Sequence, residues 1–196
     1  MSGRSARRGS ILLGVVRLAR GRSDGLHQFG ATPEAFLASL APLLAFPLVG
    51  TVLMLLDGAG LAALQAFLST LCALLVPPVL TYEVARLWGR EAAWLRFATA
   101  FNWCQWLIPV VGAAILFALG MLTGLGLPRQ FARAGFVLGV IAYGLWLHVF
   151  LARRGLGLSL PRAVALVLGV NLLTVVLVLG PRVLGLVFGG PGLVDR

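Results

Sequence analysis

The chain has 196 residues, of which 60% are hydrophobic and only 11% are charged, and its mean hydropathy is +0.99. Because a soluble domain carries about a quarter charged residues, this composition excludes an ordinary water-soluble globule and predicts an integral membrane protein of the all-α class. All 16 basic residues are arginine, which against six acids gives a net charge of +10. The arginines lie in an N-terminal leader and at the ends of apolar segments, so they indicate membrane orientation and no nucleic-acid partner is expected.

Residues 1–30 are predicted to form a basic cytoplasmic leader. Its apolar run, Ile11 to Val16, is marginal for a secretory signal peptide and is followed at once by arginine. Residues 10–20 predict a short amphipathic helix in the headgroup region, and a disordered basic segment is the alternative. The leader arginines are candidates for contact with anionic headgroups or with an acidic surface of a partner: Arg4, Arg7, Arg8, Arg17, Arg20 and Arg22.

Residues 31–181 are predicted to form a bundle of five transmembrane helices. Each apolar segment is long enough to cross about 30 Å of hydrocarbon as a helix. The first helix is expected to start with Thr32 as N-cap and Pro33 at the first helical position. The predicted spans cover residues 36–56, 61–82, 97–119, 131–151 and 162–179. The prolines expected to bend them are Pro42, Pro47, Pro77, Pro78 and Pro109. Residues 182–196 are predicted to form a short C-terminal tail.

Five crossings place the two termini on opposite sides of the membrane. With the N-terminus inside, the inner segments hold six arginines in the leader, three before span three and three before span five, against four in the outer segments. Arginine is enriched in cytoplasmic loops. The sequence therefore predicts a bacterial inner-membrane protein with a cytoplasmic N-terminus and its C-terminus on the opposite side.

Five polar residues lie within the spans or at their ends, where such groups face other helices, water or a ligand. They are Glu83, Asn102, Gln105, His148 and Asn171. In one interpretation the amides bridge neighbouring helices, the glutamate pairs with Arg86 one turn on, and the histidine lies at the headgroup level. In the other, the five residues line a polar cavity that opens to the cytoplasm.

Small residues and cysteines add further candidates. Gly135 and Gly139, in the sequence "GFVLG", are candidates for a tight helix crossing within the chain or between chains. Cys72 and Cys104 lie in different apolar segments without a metal-ligand spacing. The sequence contains no recognisable acid–base pair, nucleotide-binding loop or metal motif, so no enzyme, cofactor or metal is expected.

One stretch carries a resemblance to a known family. The sequence "YEVARLWGREAAWLRFATAFNW", residues 82–103, ends in an aromatic-asparagine-tryptophan entry into span three. This stretch resembles the bacterial relatives of the Yip1 family, and the five-span layout extends the similarity over residues 30–180. The resemblance implies a five-span fold with a cytoplasmic N-terminal segment. It does not imply the small-GTPase binding of the eukaryotic members, because the long acidic or tyrosine-rich N-terminal domain is missing.

Two classes of function follow from these patterns. The leading prediction is a non-enzymatic component that has a structural, assembly or membrane-organising role. Its partners would be membrane lipids, a protein or a second copy of the chain that contacts the transmembrane faces. The alternative is a small transporter or channel subunit, in which bends at the prolines make room for the polar residues.

Overall fold

The computed structural model describes residues 10–188 and the side chains of residues 10–180. This part of the chain is helical throughout and contains no strand, which confirms the predicted all-α class. After a short helix α1 and one 3₁₀ helix, six longer helices follow. The bounds are α1 Ile11–Ala19, the 3₁₀ helix Ser23–Gln28, α2 Pro33–Leu56, α3 Gly60–Leu87, α4 Glu91–Cys104, α5 Leu107–Gly124, α6 Arg129–Gly155 and α7 Leu160–Phe188.

Side-chain caps explain where the first two helices begin. The Ser10 hydroxyl accepts a hydrogen bond from the Leu13 N–H over 3.3 Å, which caps α1. The helix predicted for residues 10–20 is therefore present. The predicted cap of α2 is also confirmed, because the Thr32 hydroxyl accepts from the Ala35 N–H over 3.3 Å and Pro33 is the first helical residue.

Five helical segments are long and apolar enough to cross a membrane: α2, α3, α4 together with α5, α6, and residues 160–180 of α7. Only 6% to 22% of the residues in their most apolar windows are buried within the chain. Leu61, Phe117 and Leu125 are between 72% and 84% exposed. Such continuous apolar surface is a liability in water and is suited to lipid or to partner helices.

The third of these segments is two helices rather than one. It starts at Glu91, before the predicted entry, and the helix is interrupted at Gln105 and Trp106. Pro109 explains the position of the break, because it has no N–H to donate to the carbonyl of Gln105, four residues earlier, and its ring crowds that carbonyl. The bend expected at Pro109 therefore appears one turn before it. The other prolines predicted to bend their spans lie inside continuous helices: Pro42, Pro47, Pro77 and Pro78.

The buried core lies at one end of the bundle. This end, called the arginine-rich end, consists of α1, the 3₁₀ helix, the starts of α2, α4 and α7, and the ends of α3 and α6. Leu18 of α1, Phe97 of α4 and Leu147, Leu151 and Leu156 in and just after α6 are fully buried there. Helix α1 is thus part of the packed structure, since Leu18 belongs to the same cluster as the long helices.

Two tight turns close the arginine-rich end. Gly89 joins α3 to α4 with a φ of 66°, and Gly157 joins α6 to α7 with a φ of 65°. Only glycine adopts this left-handed conformation without strain. A β-carbon added to Gly157 would lie 3.6 Å from Nη1 of Arg90, so the two turns lie close to each other.

We expect Gly155→Ala to destabilise the bundle by about 1–3 kcal/mol, the usual cost of overpacking. The new methyl group would lie 2.9 Å from Cδ2 and 3.2 Å from Cβ of the buried Phe97. The matched control is Gly169→Ala, where no atom lies within 4 Å of the new methyl group and a gain of about 0.4–1 kcal/mol is expected. Equilibrium unfolding in mixed detergent measures both, and equal stabilities would contradict the packing described here.

Candidate functional site

A buried hydrogen bond joins α4 to α2. The side-chain amide of Asn102 donates from Nδ2 to Oγ of Ser39 over 2.9 Å, and the two residues are 3% and 0% exposed. The Ser39 hydroxyl in turn donates to the carbonyl of Phe36 over 2.6 Å. One asparagine therefore fixes the position of α4 against α2 through a serine that is already held by its own helix.

An indole ring makes the second polar link. The Trp94 N–H donates to the Thr81 hydroxyl over 3.1 Å, and that hydroxyl donates to the carbonyl of Pro78 over 3.2 Å. The Trp94 ring also contacts the rings of Phe36 and Tyr82, at centroid distances of 5.2 and 5.0 Å. Trp94 thus joins α2, α3 and α4 at the arginine-rich end.

A small cavity lies between α3, α4, α6 and α7. His148 and Asn171 line it together with Thr81, and the ring of Phe101 packs against His148 at a centroid distance of 4.7 Å. The Asn171 amide donates to the carbonyl of Val167, one turn back on its own helix, over 2.7 Å. The cavity volume of about 20 Å³ is enough for a single water molecule.

The other candidate polar residues face different surroundings. Oε2 of Glu83 lies 3.3 Å from Nη2 of Arg86, and both side chains are about half exposed, so this ion pair contributes little to stability. Gln105 is half-buried at the break between α4 and α5. The structure therefore brings His148 and Asn171 together, whereas Asn102, Gln105 and Glu83 each lie elsewhere.

The two candidate packing glycines lie where α5 crosses α6. A β-carbon added to Gly139 would lie 3.2 Å from Cδ1 of Ile115, and one added to Gly135 would lie 3.6 Å from Cδ2 of Leu119. Both glycines therefore bring α6 close to α5 within the same chain.

Within residues 10–180, two of the leader arginines pair with an aspartate of the leader itself, and a third is exposed without such a pair. Nη1 of Arg17 and Nη2 of Arg22 each lie 3.2 Å from Oδ2 of Asp24, which ties α1 to the 3₁₀ helix. Arg20 is exposed. The remaining three candidates, Arg4, Arg7 and Arg8, lie outside the described residues.

A polar recess at the arginine-rich end was not anticipated from the sequence. It lies between the 3₁₀ helix, α4 and the end of α6, and has a volume of about 280 Å³. Its lining residues are Ser23, Leu26, His27, Arg96, Arg154 and Gly155. This set is called the basic recess below. The sequence shows Arg96 and Arg154 only as orientation signals, because nothing local indicates that the two residues line one recess.

Side chains of the types that bind metal ions are dispersed in the part of the chain that the structure describes. Within residues 10–188, no group of three or more histidine, cysteine or acidic side chains is placed to hold a metal ion. Cys72 is exposed on α3, whereas Cys104 is buried at the end of α4, and both are free thiols.

Comparison of the chain with protein-family models, curated proteins and solved structures finds no match.

We expect the Asn102–Ser39 hydrogen bond to contribute about 0.5–1.5 kcal/mol to the stability of the bundle, the range for such bonds between membrane helices. A double-mutant cycle of Asn102→Ala and Ser39→Ala, followed by unfolding in detergent, measures this coupling free energy. Gln105→Ala combined with Ser39→Ala is the control pair, for which no coupling is expected. A coupling near zero for Asn102 and Ser39 would show that the bond does not hold α4 against α2.

Proposed function

We propose that the chain is a multi-pass protein of a bacterial inner membrane and that it acts as a non-enzymatic structural, assembly or membrane-organising component. The observation that supports this role is the contrast between a few buried polar groups that join helices and a large apolar exterior. Three of the four polar residues buried in the described part of the chain take part in such links, Asn102 with Ser39 and Thr81 with Trp94. Most of the apolar residues of the five long helices point outward, which offers a large surface to lipids or to partner helices.

The proposed orientation places the arginine-rich end in the cytoplasm. Within residues 10–180, nine arginines lie at this end, whereas Arg129 and Arg133 lie at the opposite end. The nine are Arg17, Arg20, Arg22, Arg86, Arg90, Arg96, Arg153, Arg154 and Arg162. The positive-inside rule supports a cytoplasmic position for the end with more arginines.

The resemblance to the bacterial relatives of the Yip1 family is part of the same proposal. It is carried by residues 82–103, which form the end of α3, the turn at Gly89 and most of α4. Trp94 belongs to this stretch, and it contacts Phe36 of α2 and Thr81 of α3. Five apolar helical segments are compatible with the layout that the resemblance implies.

The alternative function is a small transporter or channel subunit. The observation that favours it is the cavity shared by His148, Asn171 and Thr81, which provides polar groups between four helices. The volume of about 20 Å³ means that a transported solute larger than water would require the helices to separate. His148→Leu removes a half-buried polar group from this cavity, so transport of a solute is expected to be lost, whereas assembly with a partner is expected to persist.

The proposed assembly role is tested by purifying the tagged full-length chain in mild detergent and identifying every protein that remains bound at a fixed ratio. A stoichiometric partner, or a defined homo-oligomer, supports the role. A monomer that carries only lipid contradicts assembly with a protein. The His148→Leu variant is purified in parallel, because His148 lies between helices of the chain and its complex is expected to be unchanged.

The orientation predicts opposite labelling of two engineered cysteines in a chain that also carries Cys72→Ala and Cys104→Ala. Asp57→Cys, between α2 and α3, is expected to react with a membrane-impermeant maleimide in intact cells. Ser159→Cys, between α6 and α7, is expected to react only after the inner membrane is permeabilised. Both native residues are exposed, so the difference reports the side of the membrane. Labelling of Ser159→Cys in intact cells would reverse the proposed orientation.

A further inference from the structure

The basic recess is a polar opening at the arginine-rich end. Two arginines line it from different helices, Arg96 from α4 and Arg154 from the last turn of α6. His27 and Ser23 line the third side, on the 3₁₀ helix. At about 280 Å³ the recess is far larger than the 20 Å³ cavity beside His148, so it admits a polyatomic group rather than a single water molecule.

The positive charges of the recess have no carboxylate beside them. Within residues 10–180, no aspartate or glutamate oxygen lies within 4.0 Å of the guanidinium nitrogens of Arg96 or Arg154. Of the four acidic residues that the structure describes at this end, Glu34 lies at the start of α2, and Glu83 pairs with Arg86. Asp24 pairs with Arg17 and Arg22, while Glu91 accepts a hydrogen bond from the Tyr82 hydroxyl over 2.8 Å.

The sequence outside the described residues contains few further acidic residues. Residues 1–9 contain three arginines and no aspartate or glutamate, so the leader adds positive charge. Two like charges that line one recess repel each other, and an anion between them removes that repulsion. The recess therefore has the charge of an anion-binding site.

We infer that the basic recess binds a phosphate group, with Arg96 and Arg154 donating hydrogen bonds to its oxygens and with Ser23 and His27 available as further donors. Guanidinium groups match the planar pairs of oxygens on a phosphate, and a serine hydroxyl or an imidazole N–H donates one bond each. The two sources of this group are the headgroup of an anionic phospholipid and a free phosphate. The lipid source rests on the proposed membrane function, whereas binding of free phosphate does not.

The position of the recess favours the lipid source. It lies at the end of α6 and near the start of α4, where the apolar helical segments end and phospholipid headgroups are expected. Basic pockets between helix ends on the cytoplasmic side of a membrane suit acidic headgroups for this reason. A phosphate held there would bridge the 3₁₀ helix, α4 and α6, which would fasten the leader to the bundle.

The test uses the purified full-length chain in an uncharged detergent, with palmitoyl-oleoyl phosphatidylglycerol, the corresponding phosphatidylcholine and inorganic phosphate as separate probes. Native mass spectrometry counts the bound lipids, and a titration gives the affinity for each probe. The variant is Arg96→Gln combined with Arg154→Gln. The matched control is Arg90→Gln combined with Arg153→Gln, which removes the same charge from exposed residues at the same end but outside the recess.

For a lipid headgroup, the wild-type chain is expected to prefer phosphatidylglycerol over phosphatidylcholine. The Arg96 and Arg154 variant is expected to bind phosphatidylglycerol about 25-fold more weakly, about fivefold for each arginine, whereas the control is expected to retain most of the affinity. If the ligand is free phosphate, the affinity for inorganic phosphate is expected to fall in the Arg96 and Arg154 variant, and the wild-type chain is expected to bind phosphatidylglycerol and phosphatidylcholine equally. Either result supports the phosphate site and identifies its source.

Equal losses in the variant and in the control for every probe would overturn the inference, because general attraction to the basic surface would then explain all binding. The inference would also be overturned if the wild-type chain bound neither phosphatidylglycerol nor inorganic phosphate. Since Arg96 and Arg154 are exposed, we expect both variants to fold, and their unfolding without lipid verifies this. If phosphate binding is absent but the two engineered cysteines are labelled as expected, the proposed membrane orientation stands and only the phosphate site is wrong. If phosphate binds but the labelling is reversed, only the orientation is wrong.

Discussion

The arrangement of the helices depends on the pairing of a few buried polar side chains in an otherwise apolar interior. An apolar helix packs against another in many registers, and lipid gives little preference among them. The bond from Asn102 to Ser39 favours the register of α4 on α2 in which both groups are satisfied. The bond from Trp94 to Thr81 does the same for α4 on α3. Since an unpaired buried amide or hydroxyl costs about 1–3 kcal/mol, each bond penalises the alternative registers.

The two ends of the bundle differ because these bonds are found at only one of them. At the arginine-rich end, Leu18 and Phe97 are fully buried. Towards the opposite end, side chains such as Leu125, just after α5, and Leu61 of α3 are at least 80% exposed. Contacts between α5 and α6 include side chains that pack against glycine, as Ile115 does near Gly139. One end is therefore held by specific bonds, and the other leaves its apolar surface free for lipid or for other helices.

The sequence was sufficient for features that are local along the chain. Apolar length located the five long segments, and the Thr32–Pro33 pair located the start of α2. A bend at Pro109 was expected within one continuous span, whereas the helix is interrupted one turn earlier, at Gln105, whose carbonyl the proline leaves without its usual donor. Ser39 was not anticipated, because its partner Asn102 lies 63 residues away and serine is unremarkable in an apolar helix. The basic recess was missed for the same reason, since it combines residues from three distant segments.

Arginine has two roles at the packed end, and the structure suggests how they are connected. As a topological signal, any arginine near the end of a span is sufficient, whatever its neighbours. Recognition of a phosphate requires more, namely two guanidinium groups held at a fixed separation. Arg96 follows Trp94 and directly precedes the buried Phe97, while Arg154 directly precedes Gly155, which packs against the same phenylalanine. The side-chain contacts that hold α4 against α6 therefore bring together the two helices that carry Arg96 and Arg154, so that residues proposed as orientation signals can also line the proposed binding site.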